Sequence, residues 1–348
     1  MDKIKDSNLY KEDIQSILKQ DCNWNKLKEK TILITGATGL IGTVLTDILI
    51  FLNNQFSLNL NLILISRHEI KSKYNFIKYI KHDISQPINI NEKIDYIIHA
   101  ASNTHPLQYS IFPIETITTN VFGIYNLLEL AIRNEDCRIL LLSSVEIYGN
   151  DSSNKENGFS ENDLGYLDCN NSRSCYNESK RLCETLCAAY NSEKKVDYVI
   201  ARLCRSYGPT LKNDDTKALS QFLHNAINGE DIVLKSKGEQ YYSYIYSADA
   251  ASAIIFLLLN GISGEAYNIA DEKSNISLKE LANIIADISN TKVIFELPDK
   301  KERKGYSKAQ RAILNPKKIQ ELGWKCNFNI QSGIERTIKC MQQNINNI

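Results

Sequence analysis

The chain has 348 residues, 43% of them hydrophobic, and its 41 basic side chains balance its 41 acidic ones. This length suits one large domain or two coupled ones with a substantial core. A formal net charge of zero removes any general electrostatic argument for nucleic acid or an anionic membrane as a partner.

The cysteines and the apolar runs predict the environment of the protein. Its nine cysteines are scattered, without a C-x-x-C pair or a Cys/His cluster at zinc spacing, so no metal site is expected. An odd number of cysteines without a signal peptide indicates a reducing, cytoplasmic location. The longest apolar runs, such as AIIFLLL at 253–259, are too short to span a bilayer.

Residues 1–29 are polar, with a weak apolar pattern at Ile14, Ile17 and Leu18, and are expected to form a helical extension docked outside the main fold. From Lys30 onward, short apolar runs alternate with helical stretches. Near-continuous apolar runs are typical of strands buried on both faces, so the alternation predicts a doubly wound parallel sheet. The runs are TILIT (31–35), LNLILIS (60–66), FIKYIKHDI (76–84), DYIIHAAS (95–102), RILLLSSVEIYG (138–149) and DYVIARLCRSYG (197–208).

After about Gly208 the rhythm loosens. SLKELANIIADI (277–288) and IQSGIERTIKCM (330–341) read as amphipathic helices, with KVIFELP (292–298) between them. The predicted fold is therefore α/β, a doubly wound parallel Rossmann sheet with a smaller mixed α/β substrate-binding C-terminal domain. The expected division is 1–29 for the extension, 30–204 plus about 236–262 for the Rossmann domain, and 205–235 with 263–348 for the substrate domain.

The segment TILITGATGLIG (31–42) places glycines between the first strand and a helix expected from about Ile41. Glycines there permit a tight turn and let backbone N–H groups approach a pyrophosphate at the helix N-terminus. A turn without a ligand could read the same, but the position after the first strand of an alternating chain favours a dinucleotide site. The candidate contacts in this loop are Gly36, Thr38, Gly39, Leu40, Ile41 and Gly42.

The end of the second strand bears on the choice of cofactor. An acid there would accept the ribose hydroxyls of NAD, whereas a cation would favour the 2′-phosphate of NADP. This chain reads ISRH, with Ser66 at the expected acidic position and Arg67 after it. NADP therefore stays open beside NAD.

Two more strand ends supply candidate cofactor contacts. Asp83, followed by Ile84, comes after the third strand and could accept from an adenine amino group; a solvated loop acid is the plainer alternative. The fourth strand ends in HAAS, with Ala100, Ala101 and Ser102. Open parallel sheets bind ligands at such carboxyl ends.

In SRSCYNESKRLCETL (172–186), Tyr176 and Lys180 lie four residues apart, on one face of a helix. A nearby ammonium lowers the pKa of a phenol from about 10 because it favours phenolate. LLLSSVEIYG (140–149) adds Ser143 and Ser144 at the end of a buried strand. A glycine loop, a strand-end serine and Tyr-x-x-x-Lys, in this order, favour a catalytic pair over an aromatic and a cation that merely share a face.

From about Lys30 to Trp324 the chain resembles the extended short-chain dehydrogenases/reductases, in the branch of nucleotide-sugar epimerases, dehydratases and decarboxylases. The resemblance rests on TGATGLIG, HAAS, TTNVFGIYNLLELA, SSVEIYG, YNESK, ARLCRSYGP and ELGW. It implies that Tyr176 is the base, that Lys180 holds the nicotinamide ribose and that Ser144 binds the reacting hydroxyl. The implied cofactor is NAD, and the implied substrate is a nucleotide-diphosphate sugar oxidised transiently at its fourth carbon.

Within this branch, 4,6-dehydratases resemble one another in a Ser/Thr-Asp-Glu triplet, which here is Ser144, Val145 and Glu146. A dehydratase is disfavoured because valine cannot donate a proton. The pattern is most similar to that of UDP-glucuronate decarboxylases, in which Glu146 would orient substrate or assist proton return; a structural strand-end acid is the alternative. The matching residues are Arg173, Cys175, Tyr176, Glu178, Lys180, Arg181 and Glu184.

Two positions depart from the family pattern. Tyr242, in EQYYSYIYSAD, replaces an arginine that contacts the substrate's phosphates or carboxylate, and Arg205 replaces an asparagine before YGP. A neutral phenol cannot replace a bidentate guanidinium, so Arg205 is expected to supply the charge from the opposite wall, where it would bind the diphosphate or a sugar substituent. The acidic group or the diphosphate of the substrate would then be shifted, which weakens the case for glucuronate. Arg311 resembles another phosphate contact, with a surface arginine as the alternative.

Decarboxylation of a UDP-hexuronate is the leading expectation. The second is 4-epimerisation, which needs only the serine, tyrosine and lysine, and the third is a keto-sugar reductase, which Arg67 favours through NADPH. A dinucleotide-binding sensor without catalysis is the alternative from another class, and the intact Tyr-x-x-x-Lys argues against it. The resemblance also implies a homodimer paired through helices around Asn120–Ala131 and Tyr176–Tyr190.

Overall fold

The computed structural model describes residues 4–70, 72–150, 157–296 and 310–346, so the ends of the expected extension and substrate domain, at 1–3 and 347–348, lie outside the described residues. Its largest sheet has the strand order β10-β6-β5-β4-β1-β2-β3, and each of its pairings is parallel. This order contains the 3-2-1-4-5-6 arrangement of a doubly wound fold, which confirms the predicted fold class. The strands are β1 Thr31–Thr35, β2 Asn61–Ser66, β3 Ile77–Lys81, β4 Tyr96–His99, β5 Arg138–Ser144, β6 Asp197–Leu203 and β10 Glu265–Ile269.

Helices cover both faces of this sheet. In β1, Ile32 and Ile34 belong to the apolar cluster that includes α2 and α7, while Leu33 faces the cluster that includes α4 and α5. Alternate residues of a strand point to opposite faces, which explains why the strand runs are apolar throughout. The helices are α1 Asn8–Gln15, α2 Leu40–Phe56, α3 Pro106–Ile111, α4 Pro113–Ile132, α5 Cys175–Lys194, α6 Ala218–Asn228, α7 Ser247–Asn260, α8 Leu278–Ser289, α9 Lys317–Glu321 and α10 Ile330–Asn346.

Smaller sheets lie beyond the carboxyl edge of the large one. β9 pairs with β11, β13 and β7, and β8 pairs with β12. Their bounds are β7 Arg205–Tyr207, β8 Ile232–Leu234, β9 Tyr241–Tyr246, β11 Asn275–Ser277, β12 Val293–Phe295 and β13 Arg311–Ala312. Among the described residues, no helix combines the length and the apolar character needed to cross a membrane.

Two strands join a different sheet from the one expected from their positions in the sequence. β9 falls in the range 236–262 expected for the Rossmann part but belongs to the small sheet, whereas β10 falls in 263–348 and pairs with β6 in the large sheet. The reason is that α7, which connects them, contacts α2, β5 and β6. The chain therefore returns to the large sheet once more before its end.

The N-terminal extension is helical, as predicted, but it is integrated into the core. Ile17 and Leu27 are fully buried, and their apolar cluster includes α2 and α7. The buried Asp13 carboxylate accepts a hydrogen bond of 2.5 Å from the hydroxyl of Tyr246 and pairs with Arg336 on α10. Burial raises the pKa of Asp13 to about 6, although both partners favour the carboxylate.

Replacement of Asp13 tests whether this anchor supports the fold. Asp13→Ala leaves Arg336 without its buried partner, and such a loss typically costs about 3–5 kcal/mol of unfolding free energy. Glu12→Ala is the matched control, because Glu12 pairs with the same guanidinium at 2.9 Å but its side chain is 61% exposed. Exposed pairs contribute about 1 kcal/mol or less. Urea unfolding of both variants measures the difference, and equal losses would contradict the anchoring role.

Candidate active site

The glycine loop between β1 and α2 requires its glycines because backbone atoms approach closely. Gly36 has a φ of +72°, and a Cβ there would lie 2.7 Å from the amide nitrogen of Ala101. A Cβ on Gly42 would lie 2.1 Å from the carbonyl oxygen of Gly36. Gly39 is the N-cap residue of α2. This bare main-chain cradle at a helix N-terminus fits a dinucleotide pyrophosphate.

The ends of β2 and β3 come together beside this loop. Ser66 is buried, and its hydroxyl accepts a hydrogen bond of 3.2 Å from the amide of His68, while Arg67 is exposed. The Asp83 carboxylate accepts from the amide and hydroxyl of Ser85 at 3.0 and 2.8 Å. These bonds lower the pKa of Asp83, and Arg67 contributes in the same direction. Ser85 and Arg67 thus both favour the carboxylate form of Asp83.

The end of β4 lies next to the first glycine. The Thr35 hydroxyl is 2.8 Å from Nδ1 of the buried His99 and accepts from the amide of Ala101 at 3.2 Å, which fixes the HAAS turn. Ser102 donates to Asn120 on α4 at 2.7 Å. Asn120 in turn donates to Ser179 on α5 at 2.9 Å. Ala100, Ala101 and Ser102 stay half-buried, and Ile84 is buried below them.

Tyr176 and Lys180 lie on the inner face of α5, and both are buried. The Ser144 hydroxyl acts on the phenol of Tyr176 and favours phenolate, but burial dominates and raises the pKa of Tyr176 above its ordinary value. The Lys180 ammonium donates to the carbonyl of Leu142 at 2.8 Å and lies 6.0 Å from the centre of the Tyr176 ring. Burial lowers the pKa of Lys180. The pKa of Tyr176 is thus raised overall, whereas the Lys180 ammonium alone would be expected to lower it.

The two serines at the end of β5 differ in their partners. Ser143 bonds to the Glu184 carboxylate, which also pairs with Arg202 at 2.7 Å. Ser144 is the N-cap of a 3-10 turn at Val145–Tyr148, and its hydroxyl accepts from the amide of Glu146 at 3.2 Å. Ser144 is therefore the serine that faces Tyr176.

Glu146 and Arg205 meet across the space beyond Tyr176. The Glu146 carboxylate accepts from the side-chain amide of Asn177 at 3.2 Å and lies 3.8 Å from the Arg205 guanidinium. That guanidinium lies 3.4 Å from the centre of the Tyr242 ring. The two positions that depart from the family pattern are thus in direct contact.

Two residues beside the reaction centre were not singled out from the sequence. The ring of Tyr109, on α3, stacks on that of Tyr176 with centroids 5.3 Å apart, and Asn177 orients Glu146. A tyrosine on a short helix that follows the HAAS strand end was a usable signal for Tyr109. Asn177 directly follows the tyrosine but has no signal of its own.

Arg311 lies on β13, opposite Tyr241 of β9, and its guanidinium is 5.1 Å from the centre of the Tyr241 ring. Successive residues of a strand point to opposite faces. Arg311 and Tyr241 therefore lie on the other face of β9 from Tyr242 and Arg205, so the structure does not bring the two arginines together.

Comparisons with known proteins agree with this geometry. Among curated proteins, UDP-glucuronic acid decarboxylase 3 of Arabidopsis thaliana is 30% identical over 317 residues, which cover 87% of this chain and 86% of that protein. UDP-glucuronic acid decarboxylase 1 of Xenopus tropicalis is 29% identical over 89% of this chain and 71% of its own.

Solved structures share the fold at lower identity. UDP-glucose 4-epimerase from Thermotoga maritima, solved with UDP-glucose, has a TM-score of 0.76 and 18% identity over 90% of this chain and 99% of its own. dTDP-glucose 4,6-dehydratase from Bacillus anthracis, in complex with NAD, has a TM-score of 0.74 and 20% identity over 91% and 98%. The family model described as the NAD dependent epimerase/dehydratase family matches residues 32–270. The chain belongs to this family.

Proposed function

We propose that this protein oxidises a nucleotide-diphosphate sugar transiently at its fourth carbon through NAD, and that its net reaction is decarboxylation of a UDP-hexuronate. The arrangement that carries the proposal is the buried Tyr176 beside Ser144, whose hydroxyl favours the phenolate, with Lys180 one helical turn away on α5 and Glu146 beyond. Relatives named UDP-glucuronic acid decarboxylases support the choice of substrate.

In the first step Ser144 and Tyr176 hold the 4-hydroxyl, and Tyr176 takes its proton as general base. NAD, when bound, would supply the acceptor for the hydride of the fourth carbon and the donor for its return, and its positive ring would favour the phenolate of Tyr176. Lys180 keeps its ammonium at the carboxyl edge of β5 through the bond to Leu142. A ribose bound there would be held by this ammonium, as the Tyr-x-x-x-Lys pattern implies.

The second step needs little from the protein beyond placement. With a ketone at the fourth carbon and a carboxylate on the fifth, the bond to the carboxylate breaks, carbon dioxide leaves, and the electron pair moves onto the ketone oxygen as an enolate. Ser144 and the protonated Tyr176 donate hydrogen bonds to that oxygen as its charge grows. Glu146, oriented by Asn177, passes a proton taken from solvent water to the fifth carbon, and Tyr176 gives its own proton back to the fourth oxygen when the ketone is reduced again.

Val145 bears on the alternative of water loss. It occupies the place of a proton-donating acid and is buried, so no side chain at this position can protonate a departing 6-hydroxyl. A 4,6-dehydratase activity is therefore disfavoured. An isomeric sugar without loss of mass would instead identify the protein as a 4-epimerase.

The cofactor and domain assignments extend this proposal. We assign the glycine cradle to the pyrophosphate, Ser66, Arg67, Asp83 and Ile84 to the adenosine half, and the HAAS turn to the nicotinamide half. The small sheets, with α6, α8 and α10, form the substrate domain, to which we add β9, while we return β10 to the Rossmann domain.

The direct test is incubation with UDP-glucuronate and NAD. We expect release of carbon dioxide, a UDP-pentose product and no net reduction of the cofactor. Tyr176→Phe should lower the turnover rate by about 10²–10⁴, the usual contribution of a positioned acid–base group. Tyr96→Phe serves as the control. Tyr96 is the first residue of β4, so its phenol lies at the edge of the sheet opposite the candidate site. Mass spectrometry follows the products, and full turnover by Tyr176→Phe would exclude this base.

We also propose that two copies pair through α4 and α5. Large apolar side chains are exposed along these neighbouring helices, among them Ile117, Phe122 and Tyr125 on α4 and Leu182 on α5. Contiguous apolar exposure of this kind marks an interaction surface, and a two-fold axis would bring each patch onto its own copy.

Light scattering tests the pairing. Phe122→Glu places a charge in the centre of the apolar surface and should convert a dimer into a monomer. Leu164→Glu is the control, because Leu164 is 80% exposed and lies outside these helices. A mass of one chain for the unsubstituted protein, or an unchanged dimer with Phe122→Glu, would contradict this arrangement.

A further inference from the structure

Arg205 is held in place, but its guanidinium is not fully hydrogen-bonded within the residues that the structure describes. Its side chain is 24% exposed and lies 3.8 Å from the Glu146 carboxylate, which is beyond hydrogen-bonding distance. Nη1 is buried without a hydrogen-bond partner. A guanidinium carries five N–H donors in a rigid fork, so Arg205 presents donors that a ligand can take.

Arg202, three residues earlier, is an arginine with a structural role, and its hydrogen bonds provide a comparison for Arg205. Its guanidinium bonds to the Glu184 carboxylate at 2.7 Å, to the hydroxyl of Tyr148 at 2.9 Å and to the carbonyl of Glu161 at 2.7 Å. These contacts hold β6 against α5 and the turn after β5. Within the described ranges Arg205 has no comparable set of hydrogen bonds, although unsatisfied buried donors are costly.

Tyr242 explains why Arg205 does not close onto Glu146. In the parallel pairing of β7 with β9, Arg205 lies opposite Tyr244, and Tyr242 is two residues earlier on the same face of β9. The guanidinium stacks on the Tyr242 ring at 3.4 Å from its centre. Stacking on an aromatic face holds the fork flat and leaves its edge available.

The position of Arg205 is at the sugar end of the proposed site. Charges of Glu146, Arg173 and Arg205 all act on the phenol of Tyr109, and the Tyr109 ring stacks on that of Tyr176. The Arg205 guanidinium thus lies near the aromatic pair that contains the proposed base. An anionic group on the sugar, next to the carbon that reacts, would complement this guanidinium.

We propose that Arg205 is the residue that selects an acidic sugar, by binding the carboxylate on its fifth carbon with the donors that the protein leaves unused. This inference rests on the proposed function and adds the determinant of substrate class. The carboxylate contact exists in the bound substrate and is lost as carbon dioxide leaves. Its removal should therefore weaken binding more than it slows the chemical step.

Calorimetric titration in the presence of NAD tests the assignment with UDP-glucuronate, UDP-glucose and UDP as probes. We expect the unsubstituted protein to bind UDP-glucuronate more tightly than UDP-glucose. Arg205→Gln should weaken UDP-glucuronate binding at least tenfold and leave the other two probes nearly unchanged, and Arg205→Lys should fall between. Arg133→Gln, at the C-cap of α4, is the matched control for the loss of one arginine.

A second variant keeps the proposal falsifiable if Arg205→Gln is poorly folded. Arg205→Asn combined with Tyr242→Arg moves the guanidinium to the neighbouring strand on the same face and should restore part of the preference for UDP-glucuronate. Equal weakening of all three probes would place Arg205 on the diphosphate and overturn the proposal, as would a protein that shows no preference for the acidic sugar. If the protein releases carbon dioxide and Arg205→Gln keeps the preference for UDP-glucuronate, the role of Arg205 is overturned and the proposed decarboxylation stands. If the preference depends on Arg205 but no carbon dioxide is released, the role of Arg205 stands and the proposed decarboxylation is overturned.

Discussion

The site depends on one geometric constraint: parallel strands of one sheet all end at the same edge. β1, β2, β3, β4 and β5 deliver the glycine loop, the Ser66 turn, Asp83, the HAAS turn and Ser144 to that edge. The bond from Lys180 to the carbonyl of Leu142 ties α5 to the end of β5. Tyr176 is thereby positioned by the main chain of the sheet, on the buried helix face that we propose as the reaction centre.

The polar side chains that lie beneath this edge are hydrogen-bonded to one another, whereas those that face the proposed sugar site are not. Ser143, Glu184, Arg202 and Tyr148 satisfy one another in a network that holds the end of β5 against β6 and α5. In front, Glu146 and Arg205 lie apart, separated by more than a hydrogen bond. A fully hydrogen-bonded network makes the scaffold rigid. Hydrogen-bond donors and acceptors that the described residues leave unpaired are, by contrast, available to a ligand. The boundary between the two sets outlines the proposed sugar chamber.

Much of the fold was readable from the sequence because buried parallel strands leave continuous apolar runs and the glycine loop has a fixed position. TILIT, LNLILIS and RILLLSSVEIYG each contain the strand expected of them. The extension was misjudged as peripheral because its buried residues, such as Ile17 and Leu27, fall across short 3-10 turns without a steady period. The pairing of β10 with β6 was not readable from the sequence, since it joins segments that are distant along the chain.

The sequence by itself determined the class of fold and predicted the glycine loop and the Tyr-x-x-x-Lys pair, because each follows from local spacing of residue types. Only the tertiary structure decided which of two adjacent serines faces Tyr176, that Tyr109 stacks on it, and that Arg205 lies on Tyr242. These are contacts between segments brought together by strand pairing. No local pattern encodes them, since their partners lie from about thirty to seventy residues apart along the chain.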